Sequence, residues 1–168
     1  FKKHKLQVAQ ILLSPSDAEN KKSSKNAIAT IENLIRFKCI PIINENDTTS
    51  TDEIKFGDND LLASKVVKLI GADLLIILST VDGLYASEED VKARKLSSLI
   101  KEVSKITPRI RKMAGHASQM GKGGMISKIE AAEICLKNNC SMVITSGKNK
   151  KPIRGIAKRA KATWFIKR

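Results

Sequence analysis

Four apolar runs constrain this chain more than any other feature: LQVAQILLS at 6–14, CIPII at 39–43, LLIILS at 74–79 and SMVIT at 141–145. Each is short, aliphatic and bounded by polar residues, and so reads as a buried strand. Between the first two, Ala27, Ile28, Ile31, Leu34 and Ile35 recur at helical spacing within residues 17–37. DLLASKVVKLI at 60–70 is a second amphipathic helix, ending at Gly71, and SKIEAAEICLKNN at 127–139 is a third, leading into SMVIT. Helices alternating with continuously apolar strands predict an α/β fold, with a mostly parallel central sheet covered on both faces. Residues 86–120 mix charges of both signs with weak periodicity and read as an excursion holding one or two helices. One domain over residues 1–168 accommodates all of this, and that length suffices for a hydrophobic core.

Composition removes several function classes. No apolar run is long enough to cross a bilayer. The opening FKKHKLQVAQILL is a poor secretion signal, because Gln7 and Gln10 interrupt a short run and no small-residue cleavage site follows. A cytoplasmic protein without membrane contact is expected. Cys39, Cys135 and Cys140 are odd in number and lack C-x-x-C spacing, which suits free thiols in a reducing compartment. His4 and His116 are isolated, which argues against a histidine metal site. The net charge is +14, and no acid follows Glu133. A basic surface of this kind can bind nucleic acid. With one Trp, one Tyr and four Phe, and no basic–aromatic interleaving, lysine-rich solvated faces explain it better.

Against that basic background, the stretch 44-NENDTTSTDEIKFGDND-60 gathers Glu45, Asp47, Asp52, Glu53, Asp58 and Asp60 around Lys55 alone. In an open parallel sheet, ligands bind outside the carboxyl ends of the strands. NEND follows CIPII, STVDG follows LLIIL and TSGKNKK follows MVI, so all three segments stand where a site belongs. Carboxylates this close repel one another and need a cation or hydrogen-bond donors to stay ionised. A substrate ammonium group would supply the charge, helped by Mg²⁺ arriving on a nucleotide. Asn side chains can serve both a substrate carboxylate and an ammonium. Asp52 and Glu53 fit an ordinary polar hairpin. Asn44, Asp47, Asp58, Asn59 and Asp60, at a strand end and a helix start, are the candidate ligand residues, and Asp58 or Asn59 could equally cap the helix.

A second constellation is 121-GKGGMISK-128, directly ahead of a helix. Glycines leave backbone N–H groups free to wrap an anion, and the helix N-terminus adds partial positive charge. Gly123 and Gly124, with Lys128 in the first turn of the helix, are therefore candidate anion-binding residues, and a flexible turn before a helix is the plain alternative. The spacing is not that of a Walker A loop, which needs G-x-x-x-x-G-K-[ST]. Paired with the acidic stretch, this motif points to phosphoryl transfer, with lysines and Mg²⁺ offsetting phosphate charge.

In order along nearly the whole chain, IPIINENDTTSTDEIKFGDND, GADLLIILSTVDGLY, GKGGMISKIEAAEI and the closing ATWFIKR resemble the glutamate 5-kinases of the amino acid kinase superfamily. NEND followed by FGDND is specific to that kinase within the superfamily. The resemblance implies a three-layer αβα sandwich that phosphorylates the γ-carboxylate of L-glutamate with MgATP, giving L-glutamyl 5-phosphate in the first step of proline synthesis. Carried onto matching positions, Asn44, Asp47 and Asn59 would hold glutamate, with Asp58 beside them. Asp60 would organise the catalytic Lys128, which would stabilise charge on the transferred group. Ser79 and Thr80 would join the nucleotide site, and Lys122 to Lys128 would wrap the ATP phosphates.

The resemblance also implies a homo-oligomer, inhibition by proline, and no metal site beyond Mg²⁺ carried by ATP. The family's opening strand, with its glycine-rich loop and lysine, is absent from this sequence. So are the segment that supplies a serine to the glutamate site and the RNA-binding-like PUA domain of many relatives. A truncated catalytic domain is thus the expectation. Thr80 stands where the family commonly has Asp, and Lys122 where it has Thr, departures that bear on nucleotide affinity. Competing readings are a superfamily member with another acceptor, or an inactive binding or assembly remnant.

Overall fold

The structure, a computed structural model, describes residues 1–14, 17, 20–47, 58–115, 124–158 and 161–167, except for the Glu88 side chain. Strand β1 (Gln7–Leu13) lies parallel to β2 (Cys39–Glu45), with Gln7 opposite Cys39 and Leu13 opposite Glu45. Helix α1 (Lys21–Arg36) makes the crossover between them. It starts at Asn20, whose side chain accepts from the Lys22 and Ser23 N–H groups at 2.8 and 3.3 Å, satisfying donors that the first helical turn leaves over. Helix α2 (Asn59–Ile70) ends at Gly71, which takes the left-handed conformation at φ 63°, where a side chain would strain.

Strand β3 (Leu74–Ser79) pairs parallel with β5 (Ser141–Ser146), Ser79 standing opposite Ser146. The excursion between them contains α3 (Glu88–Ala93), the two-residue β4 (Glu102–Val103) and α4 (Pro108–Met113). Helix α5 (Met125–Lys137) then turns tightly into β5, with Cys140 N–H donating to the Cys135 carbonyl at 3.0 Å. After α6 (Pro152–Ala157), β6 (Ala162–Phe165) runs antiparallel to β5 and parallel to β4. The strand orders are β1-β2 and β3-β5-β6-β4. The α/β class and the mostly parallel pairing match expectation. The antiparallel β6 does not: ATWF is too short to carry a periodic signal.

Helix α2 packs on both β2 and β3 and against α1 and α5, so it joins the two sheets. Ile77, Met142, Ile144 and Phe165 form the main core with Val67, Ile129 and Cys135 of the helices and Leu84 and Val103 of the excursion. A smaller cluster joins Leu13, Ile11 and Ile43 of the strands to Leu62, Val66 and Ala27 of the helices. On α5, Glu133 accepts from Lys137 and from Arg111 of α4, and these two hydrogen bonds hold its carboxyl below the usual range.

One expectation needs correction. Coverage on both faces holds for β5, whose residues 142–146 are all buried, but not for β1 and β2. There the alternation sends Ile11, Leu13 and Ile43 under the helices and leaves Val8, Leu12, Ile40 and Ile42 on the other face, 39–44% exposed. Among the described residues that face is open.

The cysteines are free, as expected. Burial pushes the Cys135 thiol up to about 12, reinforced by Cys140 alongside, and burial raises Cys140 as well. The thiolate is the reactive form, and a raised value keeps it scarce at pH 8. In a timed reaction with an aromatic disulfide reagent at pH 8, the partly exposed Cys39 alone should react quickly. Rapid release of more than one equivalent from the folded protein would contradict this burial.

Candidate functional site

Strands β2 and β3 lie parallel to their partners β1 and β5, and β2, β3 and β5 end at Glu45, Ser79 and Ser146. Helix α5 runs back against β5, so its first turn lies at the carboxyl end of that strand. Helix α2 follows the carboxyl end of β2. The topology therefore gathers the starts of both helices on the side where open α/β sheets hold ligands.

The two helix starts meet through one ion pair. Lys128, in the first turn of α5, donates from Nζ to Asp60 Oδ2, in the first turn of α2, at 2.7 Å. Their side chains are only 10% and 17% exposed, so water screens the pair weakly. Lys128 is the only buried lysine among the described residues. Burying a lysine costs much unless its charge is answered, and Asp60 answers it. The acidic stretch and the glycine motif, far apart in sequence, thus converge on a salt bridge.

Asp58 has a defined local task. Its Oδ1 accepts from the Asp60 and Leu61 N–H groups, both at 2.9 Å, making it the N-cap of α2. Asn59 is the exposed first residue of that helix. Asn44, the penultimate residue of β2, is exposed on the same strand face as Ile40 and Ile42, and Asp47 is exposed in the turn beyond. Asn46 N–H donates to the Leu13 carbonyl at 2.9 Å, extending the ladder past the end of β2 and fixing how the chain leaves it.

At the start of α5, Gly124 is the N-cap, and among the described residues no side chain caps the helix. A Cβ built on Gly124 would meet nothing within 4 Å among the described residues. First-turn N–H groups of this kind suit an anion. Met125, Ile126 and Ser127 occupy this first turn, half-buried, and Ser127 Oγ donates to the Gly124 carbonyl at 2.9 Å. Lys122 and Gly123 lie outside the described residues.

A cleft of ≈ 420 Å³ opens where β3 and β5 end, and Thr80 and Ser146 help line it. Its walls add Asp82, Tyr85, Arg94, Lys148 and Lys161. Tyr85 donates its phenolic hydrogen to Asp82 Oδ2 at 3.3 Å, and burial, then the Asp82 charge, pushes the phenol upward. Ser79 contributes its carbonyl, which accepts from Gly147 N–H at 2.8 Å and ties the two strand ends together. Three cations facing one carboxylate and a phenol suit an anionic ligand that also carries hydroxyl groups.

The strand-end segments STVDG and TSGKNKK announce part of this cleft, but Arg94 and Lys161 carry no local signal. Arg94 arrives as the left-handed cap of α3, at φ 48°. Lys161 is set by Thr145, whose hydroxyl donates to the Lys161 carbonyl at 2.9 Å. Among the described residues, no group of three or more His, Cys, Asp or Glu side chains is placed to hold a metal ion. None of their helices is long and apolar enough to cross a membrane.

Residues 1–146 match the model of the amino acid kinase family. Curated glutamate 5-kinases from Pelagibacter ubique and Paramagnetospirillum magneticum are 47% and 43% identical over 99% and 97% of this chain. The chain spans 45% and 44% of their lengths. Among solved structures, UMP kinase from Ureaplasma parvum superposes with a TM-score of 0.60 at 13% identity, covering 99% of this chain and 62% of that one. An isopentenyl phosphate kinase substrate complex gives 0.56 at 14% identity, covering 98% and 62%. These two likenesses concern the fold.

Proposed function

The chain belongs to the amino acid kinase family, and from that premise we propose that it carries the acceptor and phosphate sites of an ATP-dependent kinase acting on the γ-carboxylate of L-glutamate. The observation that carries this reading is the Asp60–Lys128 pair, which fixes a buried ammonium at the N-terminus of α5. The curated relatives, each a glutamate 5-kinase, supply the acceptor. In the reaction, a γ-carboxylate oxygen forms a bond to the terminal phosphorus of ATP as the bond to the bridging oxygen of ADP breaks. The products are an acyl phosphate and ADP.

Each part of the site has a task in that step. The first-turn N–H groups of α5 receive phosphate oxygens, and Lys128 meets the negative charge that grows on the transferred group. Asp60 holds Lys128 in place. Asn44, Asp47 and Asn59 hold the amino-acid end of glutamate, Asp47 answering its ammonium. The cationic cleft beside Thr80 takes the nucleoside end of ATP, with Arg94, Lys148 and Lys161 meeting phosphate or ribose oxygens. Asp58 and Asp60 are already engaged, by helix amides and by Lys128, so the donors present fit a Mg²⁺ ion held mainly by phosphate oxygens and water. When bound, Mg²⁺ offsets charge on the phosphates. The same reading makes the protein a cytoplasmic, homo-oligomeric enzyme of proline synthesis, open to inhibition by proline.

The test is steady-state ADP release with glutamate, aspartate and N-acetylglutamate as acceptors, using protein from its native source. Glutamate alone should support turnover. Asp47→Ala and Asn59→Ala should each raise the Michaelis constant for glutamate by about 10–100-fold, the loss of one charge-assisted or polar contact. Turnover with a different acceptor, or an unmoved Michaelis constant in both variants, would overturn the glutamate assignment.

A further inference from the structure

One buried hydroxyl, placed behind the cleft and outside every role assigned so far, joins its floor to the rest of the fold. Thr163 on β6 is fully buried. Its Oγ1 accepts from the Leu84 N–H at 2.8 Å and donates to the Ile100 carbonyl at 2.6 Å. The two segments it joins are also tied to each other. Ile100 N–H donates to the Leu84 carbonyl at 2.9 Å, Ala86 N–H to the Ser98 carbonyl at 3.1 Å, and Tyr85 bridges Leu99. Packing at the same point leaves no slack. A Cβ on Gly83 would lie 2.4 Å from Thr163 Oγ1 and 2.9 Å from its backbone N.

Asp82 and Tyr85, on either side of this clamp, are cleft walls. The flanking 3.3 Å contact between them follows from the path the backbone takes through Gly83 and Leu84. An isosteric valine would keep the packing and lose both hydrogen bonds, and buried amides and carbonyls do not go unpaired without the chain shifting. We infer that Thr163 is a positioning residue for nucleotide affinity: its hydroxyl sets the 82–85 segment so that Asp82 and Tyr85 present a preformed wall to the nucleoside. This rests on the nucleotide reading of the cleft. Thr163 touches no ligand and acts only through the segment it holds.

The experiment compares Thr163→Val and Thr163→Ser with the unaltered chain, titrating each with MgATP by calorimetry well below its unfolding midpoint. Where turnover is measurable, the Michaelis constant and kcat are separated. Valine should weaken MgATP binding about tenfold and leave kcat within about twofold, while serine, which keeps the hydroxyl, stays within about twofold in both. Unchanged affinity in both variants overturns the inference, as does equal loss in both, because serine keeps the hydroxyl and should keep the affinity with it. Absence of MgATP binding by the unaltered chain would instead remove the nucleotide reading and this role with it. Should the valine variant fail to fold, amide hydrogen exchange on the unaltered protein decides. Leu84 N–H must be protected and gain protection with MgATP, and exchange at the rate of exposed backbone overturns the role.

Discussion

Replacing Lys128 with methionine is expected to lower turnover about 10²–10³-fold while the Michaelis constant for MgATP moves by less than about threefold. The asymmetry follows from where the ammonium sits. Asp60 already holds Lys128 Nζ at 2.7 Å, so the charge is in position before substrate arrives. On the proposed reading, phosphate binding in the ground state is shared with the first-turn N–H groups of α5, which the substitution leaves intact. On that same reading, what Lys128 adds grows as negative charge develops on the transferred group, and that contribution appears in kcat. Methionine keeps an unbranched stem of similar length, so lost packing contributes little. The measurement is steady-state ADP release with MgATP and glutamate each varied. A raised Michaelis constant with undiminished kcat would place Lys128 among ground-state contacts and withdraw its part in the chemical step.

How much of this could be read from the chain depends on range. The strands 7–13, 39–45, 74–79 and 141–146 were legible because a buried strand in a parallel sheet is apolar on both faces, and that signal needs no partner. Helices 21–36, 59–70 and 125–137 were legible for the matching reason, a helical apolar stripe. Short elements carry no such signal: Glu102–Val103 and Ala162–Phe165 become strands only because they find each other and β5. The open face of Val8, Leu12, Ile40 and Ile42 shows the limit of the apolar-run argument. An aliphatic strand residue announces a wish for cover without saying whether cover is present.

The site divides in the same way. Asp58 was readable as a cap because capping is local, within three residues. Two motifs announced themselves separately, but their meeting at Asp60 and Lys128 depends on two helix starts brought together by the fold, and only the family resemblance linked them beforehand. Arg94 and Lys161 carry no motif, and Thr163 falls in the closing ATWFIKR with no sign there of what its hydroxyl meets. Their places come from a left-handed helix cap, a carbonyl held by Thr145, and a hydroxyl bonded to Leu84 and Ile100.

Removing Asp60 rather than Lys128 should show most directly that the two act as a unit. Asp60→Ala is expected to destabilise the chain by about 2 kcal/mol, less than the roughly 3–5 kcal/mol of a fully buried pair because both side chains keep some solvent contact. The cost arises less from the attraction lost than from the ammonium left in a weakly screened site without this carboxylate. Taking away that charge as well should therefore recover stability. The double variant Asp60→Ala/Lys128→Met should be more stable than Asp60→Ala alone by about 1 kcal/mol, and the coupling is that recovery plus the cost of Lys128→Met alone, about 1–3 kcal/mol for contacting residues. Urea unfolding of the two single variants, the double variant and the unaltered chain, followed by circular dichroism, completes the cycle. Simple addition of the two single effects would mean that the pair exchanges little energy, and that Lys128 is held by its other surroundings. A recovered double variant that still cannot turn over substrate would show that the lost turnover comes from the missing pair and not from a weakened fold.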